Sequence, residues 1–218
     1  MNTTDNSFIF YSRLHLIELT GIKASNLSEL LEHLRTVPGS CIYHHTHHFI
    51  QRHQYLSPEP ANDFAYWASE SLGDKQLGEE LASMDPIAYP TIRLIREAVI
   101  EIIEKALASR ERLKKLTVPE NEEFTFLKST SFIFPTQYVA HNLKEFIEGL
   151  SNVSISSIYY HMFEARLRLE RLTNDFSNWL ASSLNEKQLA LKIARLDPYT
   201  HTAEGLRAAI LKILEQKQ

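Results

Sequence analysis

Apolar positions near the start of the chain alternate. Phe8 and Phe10 are spaced by two, and so are Phe124 and Phe126 much later, the period of a half-buried strand. Leu14–Leu19 and Phe132–Phe134 predict second strands, with Thr20-Gly21 as a turn, so each region predicts a short β-hairpin or a sheet shared between the two. The period then changes. Leu27, Leu30, Leu31 and Leu34, and likewise Leu143, Phe146, Ile147 and Leu150, mark one face of a helix. Asn26 with Glu29, and Asn142 with Glu145, have the spacing of an N-cap and its N3 carboxylate. Further elements run from Ile42 toward His53 and from Ile158 toward Leu172. Asp63 and Asp175 stand at the N-cap positions of helices carrying Phe64/Trp67 and Phe176/Trp179. Asp74 and Asn185 cap the next helices, Asp85-Pro86 and Asp197-Pro198 signal another start, and the last helices span about Thr91–Arg112 and Ala203–Gln216.

These parallels are one pattern seen twice. Shifted by 116 positions, the chain aligns with itself without a gap from Phe8 to His45. Ser40-Cys41-Ile42-Tyr43-His44-His45 falls on Ser156-Ser157-Ile158-Tyr159-Tyr160-His161, and after a four-residue deletion Asn62-Asp63-Phe64 and Trp67 fall on Asn174-Asp175-Phe176 and Trp179. The sequence therefore reads as a tandem duplication: repeat unit 1 at 1–107, a linker at 108–123 and repeat unit 2 at 124–218. The expected fold class is α+β and helix-dominated, with two pseudo-symmetric repeats, each a short β-hairpin followed by about five helices. Two copies are too few for a solenoid, so a monomer with an internal pseudo-two-fold, or a homodimer, is expected.

The run Phe-x-Phe, Thr-Gly, Asn-Leu-x-Glu-Leu, Ser-Ile-Tyr-Tyr-His, Asn-Asp-Phe-x-x-Trp and a late Asp-Pro resembles the tandem family called domain of unknown function 5752. The first copy departs from it in reading Cys-Ile-Tyr-His-His. The resemblance implies a bacterial protein with a duplicated fold and brings no established activity.

Composition narrows the function classes. Of 218 residues, 44% are hydrophobic and 23% charged, enough to build a core, and the net charge of −4 offers no overall attraction to nucleic acid or anionic membrane. The most basic stretch, Arg110–Lys115, is mixed with Glu111 and Leu113 and reads as a solvated helix end. Cys41 is the single cysteine, the N-terminus has no signal-peptide pattern, and no apolar run is long enough to span a bilayer, which together predict a cytoplasmic protein.

Candidate chemistry gathers at histidines. His44, His47, His48 and His53 offer imidazoles for a metal, with His44 and His48 at the i, i+4 spacing of a chelating pair. The second copy places Tyr160, Phe163 and Glu164 opposite three of them, which argues against a shared metal site. His45 and His161 occur in both copies on the apolar face, as core histidines or as acid–base groups. Asp63 and Asp175 are candidate partners for them. With Tyr43/Trp67 and Tyr159/Trp179 they complete a set, Tyr43, His45, Asp63 and Trp67 with Tyr159, His161, Asp175 and Trp179, that marks where each unit packs or binds a ligand. No phosphate loop, nucleophile elbow or paired glycosidase carboxylates are recognisable, and no cofactor is expected. The leading expectation is a non-catalytic binding, scaffold or regulatory protein with a small-molecule or protein partner. The alternatives are an enzyme of small-molecule or carbohydrate metabolism using His45 or His161, and a metal-binding protein using the His44–His48 cluster.

Overall fold

The structure, a computed structural model, describes residues 6–48, 62–165, 173–196 and 202–216. Helices dominate, and the sheet among the described residues has two strands. In chain order they are β1 (Phe8–Ala24), α1 (Leu27–Thr36), α2 (Gly39–Tyr43), a π-helical turn (His44–His48), α3 (Asp63–Glu70), α4 (Lys75–Ala82) and α5 (Ile92–Ser109). After a 3₁₀ turn at Glu111–Lys115 come β2 (Phe124–Ala140), α6 (Leu143–Asn152), α7 (Ile155–Tyr159), a second π-helical turn (Tyr160–Glu164), α8 (Asp175–Ser182), α9 (Lys187–Ala194) and α10 (Ala203–Glu215).

Among the described residues, no hairpin forms within either half. β1 and β2 are single strands of 17 residues that pair with each other. Gly21 does take a positive φ of 75°, the conformation a turn would use, yet the chain stays extended through it. Thr20 explains this locally: its hydroxyl accepts from Ile22 N and donates to the Phe126 carbonyl of β2, so the kink is tied into the sheet. Contacts of Glu18 with Lys128, Thr20 with Phe126 and Lys23 with Glu123 descend one strand as they climb the other, so the strands are antiparallel.

Two compact units divide the chain, and one is discontinuous in sequence: it is Met1–Leu14 with Ser131–Gln218, while the other is His15–Thr130. In the unit of residues 15–130, Phe124 and Phe126 of β2 are buried with Leu30, Leu34, Ile42, Phe64, Ile95 and their neighbours. Leu113 and Val118, from the segment expected to be a linker, are buried in that same core, and Val118 N donates to the Ser25 carbonyl. In the other unit, Phe8 and Phe10 of β1 are buried with Phe146, Leu150, Ile158, Phe176, Leu206 and Ile210. Each Phe-x-Phe pair thus lies on the helices that are distant from it in sequence.

Helix starts follow cap chemistry. Asn26 and Asn142 accept from Glu29 N and Glu145 N, and each glutamate reaches back to the backbone before its helix, as the spacing predicts. Asn62 and Asn174, rather than the aspartates after them, cap α3 and α8. The two residue types are near-equal N-caps, and Asn62 gains a second bond from its amide to the buried Leu81 carbonyl. Asp63 and Asp175 are left at the first helical position, not used as the cap. Asp74 caps α4 as expected, whereas Asn185 adopts φ 55° and Glu186 precedes α9 without a side-chain cap. Pro86 opens only a 3₁₀ turn, and Thr91 caps α5. Asp197-Pro198 and the extensions toward His53 and Leu172 lie outside the described residues.

Gly149 on α6 is a steric requirement. A Cβ there would lie 2.5 Å from Phe10 Cε2, and the ring cannot retreat because it stacks on Phe146 at 5.3 Å and meets Phe8 edge-on at 4.9 Å. At Gly39 an added Cβ would meet only Ile92 Cγ2, at an ordinary 3.5 Å. Overpacking costs about 1–3 kcal/mol, more than the helix preference of alanine returns. Gly149→Ala should therefore lower the melting midpoint by roughly 2–4 °C, while Gly39→Ala should not lower it; an unchanged midpoint in Gly149→Ala would mean that Phe10 is not held against α6.

Candidate functional site

Both recurring histidines sit on the π-helical turns and are almost fully buried. His45 Nδ1 lies 2.6 Å from Asp63 Oδ2, and His161 Nδ1 lies 2.8 Å from Asp175 Oδ2. The imidazole–carboxylate pairs anticipated from sequence are therefore formed, across 18 and 14 residues of chain. The other ring nitrogen of each histidine is also engaged. His45 Nε2 accepts the backbone N–H of Leu127 at 2.9 Å, and His161 Nε2 accepts that of Tyr11 at 2.8 Å.

This arrangement fixes the proton. A backbone amide can only donate, so Nε2 must present its lone pair, and the single ring proton resides on Nδ1, donated to the carboxylate. The rings are neutral donors to Asp63 and Asp175, not members of a charged ion pair. A catalytic triad also uses a carboxylate on Nδ1, but there Nε2 faces the nucleophile. Here a strand amide fills that place.

The tryptophans complete the same pattern. Trp67 Nε1 donates to the Glu122 carbonyl at 2.8 Å, and Trp179 Nε1 to the Asn6 carbonyl at 2.7 Å. Between these two backbone contacts lie the phenylalanines. Phe124 packs 4.7 Å from the His45 ring, stacks at 5.0 Å on Phe64 and meets Trp67 edge-on at 5.9 Å. Phe8 packs 4.9 Å from His161, with Phe176 and Trp179 at 5.6 and 5.5 Å. Sequence reading missed the backbone groups of Asn6, Tyr11, Glu122 and Leu127, which no residue type marks, although 6 maps to 122 and 11 to 127 under the 116-position shift.

The tyrosines stand apart from these sets. Tyr43 is half-buried and stacks on His47 at 5.6 Å with rings nearly parallel, and His15 approaches it at 5.8 Å. Tyr159 is buried against Phe163, with the Arg13 guanidinium 5.8 Å over its ring. Arg13, itself buried, pairs with Glu164, and Ser12 Oγ meets Ser154 Oγ at 3.0 Å.

Among the described residues, His44, His45 and Asp63 bring potential ligand atoms within 4.8 Å of one another. A cation there would need the His45 Nδ1 lone pair, which would move the ring proton to Nε2 and set it against the Leu127 N–H. His44 Nδ1 is 2.8 Å from Ser129 Oγ, and His47 Nδ1 is 3.1 Å from Thr46 Oγ1. The donor set does not fit a metal without dismantling the strand contact. The His48 side chain and His53 lie outside the described structure. Burial pushes the Cys41 thiol above its ordinary pKa, so it serves as a packed apolar group.

Fold and site define a helix-dominated α+β protein in which imidazole–carboxylate pairs hold the backbone near the buried start of each strand. The chain belongs to the family described as a family of unknown function (DUF5752), which matches residues 5–215. It is similar to a solved structure, OrfY from Thermoproteus tenax, at 27% identity over 96% of this chain and 94% of that one, with a TM-score of 0.80. A comparison with curated proteins found no match. No described helix is long and apolar enough to cross a membrane.

Nitrogen NMR reads the proton positions directly. Both His45 and His161 should appear as Nδ1–H tautomers, each with an unprotonated Nε2 coupled to a backbone amide. Asp63→Ala or Asp175→Ala, which strands a buried donor, should cost about 1–3 kcal/mol. A ring protonated on Nε2 would contradict the assignment.

Proposed function

We propose that the chain is a non-catalytic binding or scaffold protein built from a duplicated unit, in which each His/Asp/Trp set binds a strand of the chain itself. The observation that carries the scaffold reading is apolar exposure on the strands. Among the described residues, Leu14, Leu16, Ile17 and Leu19 on β1 and Phe132 and Phe134 on β2 each leave about half or more of their surface in water, Leu19 as much as 76%. Cores elsewhere are closed, so this exposure is not general looseness. Strands that present apolar side chains and unpaired edges are surfaces that proteins cover with a partner.

The enzyme alternative loses its chemical support. A general acid or base must reach the proton it moves, and both nitrogens of His45 and His161 face structural partners. The partner that fits the strands is another protein with an apolar face. A reducing, cytoplasmic setting agrees with the single packed cysteine.

Two measurements on the full chain test this. Melting midpoints screened against divalent metals, sugar phosphates and nucleotides should not shift, because no ligand binds the native state selectively. Leu16→Lys with Phe132→Lys should leave stability within about 0.5 kcal/mol and reduce binding of an apolar-surface dye. A small molecule that raises the wild-type midpoint but not that of His45→Ala/His161→Ala would overturn the reading in favour of the enzyme.

A further inference from the structure

We infer that the two sequence copies are separable partners, each a receptor for the Phe-x-Phe strand of the other, and that the link between them at residues 119–122 is a tether the fold can lose. This rests on the duplicated-unit reading above, and goes beyond it in naming what each copy recognises.

The receptor on α1–α3 takes the start of β2. It reads the Glu122 carbonyl through Trp67, the rings of Phe124 and Phe126, and the Leu127 amide through His45. The receptor on α6–α8 takes the start of β1, reading the Asn6 carbonyl, Phe8, Phe10 and the Tyr11 amide through Trp179 and His161. Asn6 differs from Glu122, and Tyr11 from Leu127, but only their backbones are read at these contacts. The recognised ligand is thus a carbonyl, two phenylalanines and an amide at fixed spacing in extended chain, and both copies carry one.

What distinguishes the two receptors lies under the second phenylalanine. Phe10 presses on Gly149, where any side chain would clash, whereas at the position 116 residues earlier His33 meets Phe126 edge-on at 5.8 Å.

The turn between the copies is suited to interruption. Glu120 and Asn121 are exposed, and Glu122 N closes the turn on the Pro119 carbonyl. A cut between Glu120 and Asn121 gives fragments 1–120 and 121–218. Each still owns one whole strand and one receptor, and the antiparallel ladder of β1 with β2 also joins them. Two ordinary tandem domains, each with its own hairpin, would share nothing across that cut.

The experiment inserts a protease recognition sequence between Glu120 and Asn121 of the full chain and cleaves after the folded protein is purified. A second version carries the insertion between Pro119 and Glu120, should the first not fold. The nicked protein should run as a single species of the uncut mass by light scattering at micromolar concentration. Its melting midpoint should fall on dilution, because folding is now also association, while that of the uncut chain should not. Adding Trp67→Phe and Trp179→Phe removes two N–H donors and keeps the rings. At about 0.5–1.5 kcal/mol each, their loss should weaken fragment association roughly tenfold. Elution as two independent fragments would overturn the inference, and so would undiminished association in the double tryptophan variant. The scaffold reading can fail without touching this result, since no outside partner enters the assay.

Discussion

A strand end with one neighbour is the constraint on which the rest of this structure depends. Among the described residues β1 and β2 pair only with each other, which leaves each an open edge, yet the first residues of each are buried to shelter two phenylalanines. A buried amide or carbonyl without a partner costs as much as a lost hydrogen bond. No third strand among the described residues supplies one. The imidazole of His45 or His161 takes the amide, and the indole of Trp67 or Trp179 takes the carbonyl. Side chains complete the edge that a sheet would otherwise complete with backbone.

The requirement propagates outward. Nε2 can accept only if the ring proton is kept on Nδ1, which is what the carboxylates of Asp63 and Asp175 enforce. Those carboxylates are available because the preceding asparagines do the capping, leaving the aspartates at the first helical position. The π-helical turns place the imidazoles between strand and helix start. Removing any one of these pieces leaves a polar group buried without its partner, which is why the whole set recurs 116 residues on.

Much of this was legible in the sequence, and what was not has a physical reason. Periodicity placed α1, α5, α6 and α10 because an amphipathic stripe is a local property. The joint recurrence of His45 with Asp63 and of His161 with Asp175 made them candidate partners, beside the stronger reading that the aspartates cap their helices. The course of the strands was not. Phe8-x-Phe10 has the same alternation whichever helices it covers, so a local pattern cannot distinguish packing on the nearest helices from packing on distant ones. Gly21 looked like a turn because its backbone does adopt a turn conformation, and only the Thr20 contact with Phe126 shows that the strand runs on. Asn-Asp likewise offered two good caps in succession, and a local pattern does not choose between them. Ring tautomer is least legible of all, since it is set by a backbone amide that sequence does not mark.

Differences between the two units indicate which parts of the frame are free to vary. Where one unit buries Arg13 with Glu164 and Tyr159, the other has His44 against Ser129 and Tyr43 stacked on His47. These polar contacts flank the strand clamp and need only be satisfied, not identical. Histidines 44 and 47 belong to this variable rim, where His44 meets Ser129 and His47 meets Tyr43 and Thr46. The clamp itself allows no such latitude, because a donor, an acceptor and two rings must arrive together. The clamp and the apolar side chains left in water along β1 and β2 are two separate features of the same strands. The clamp answers to folding. The exposed strand residues lie outside both buried cores, so they carry the scaffold proposal and the clamp does not.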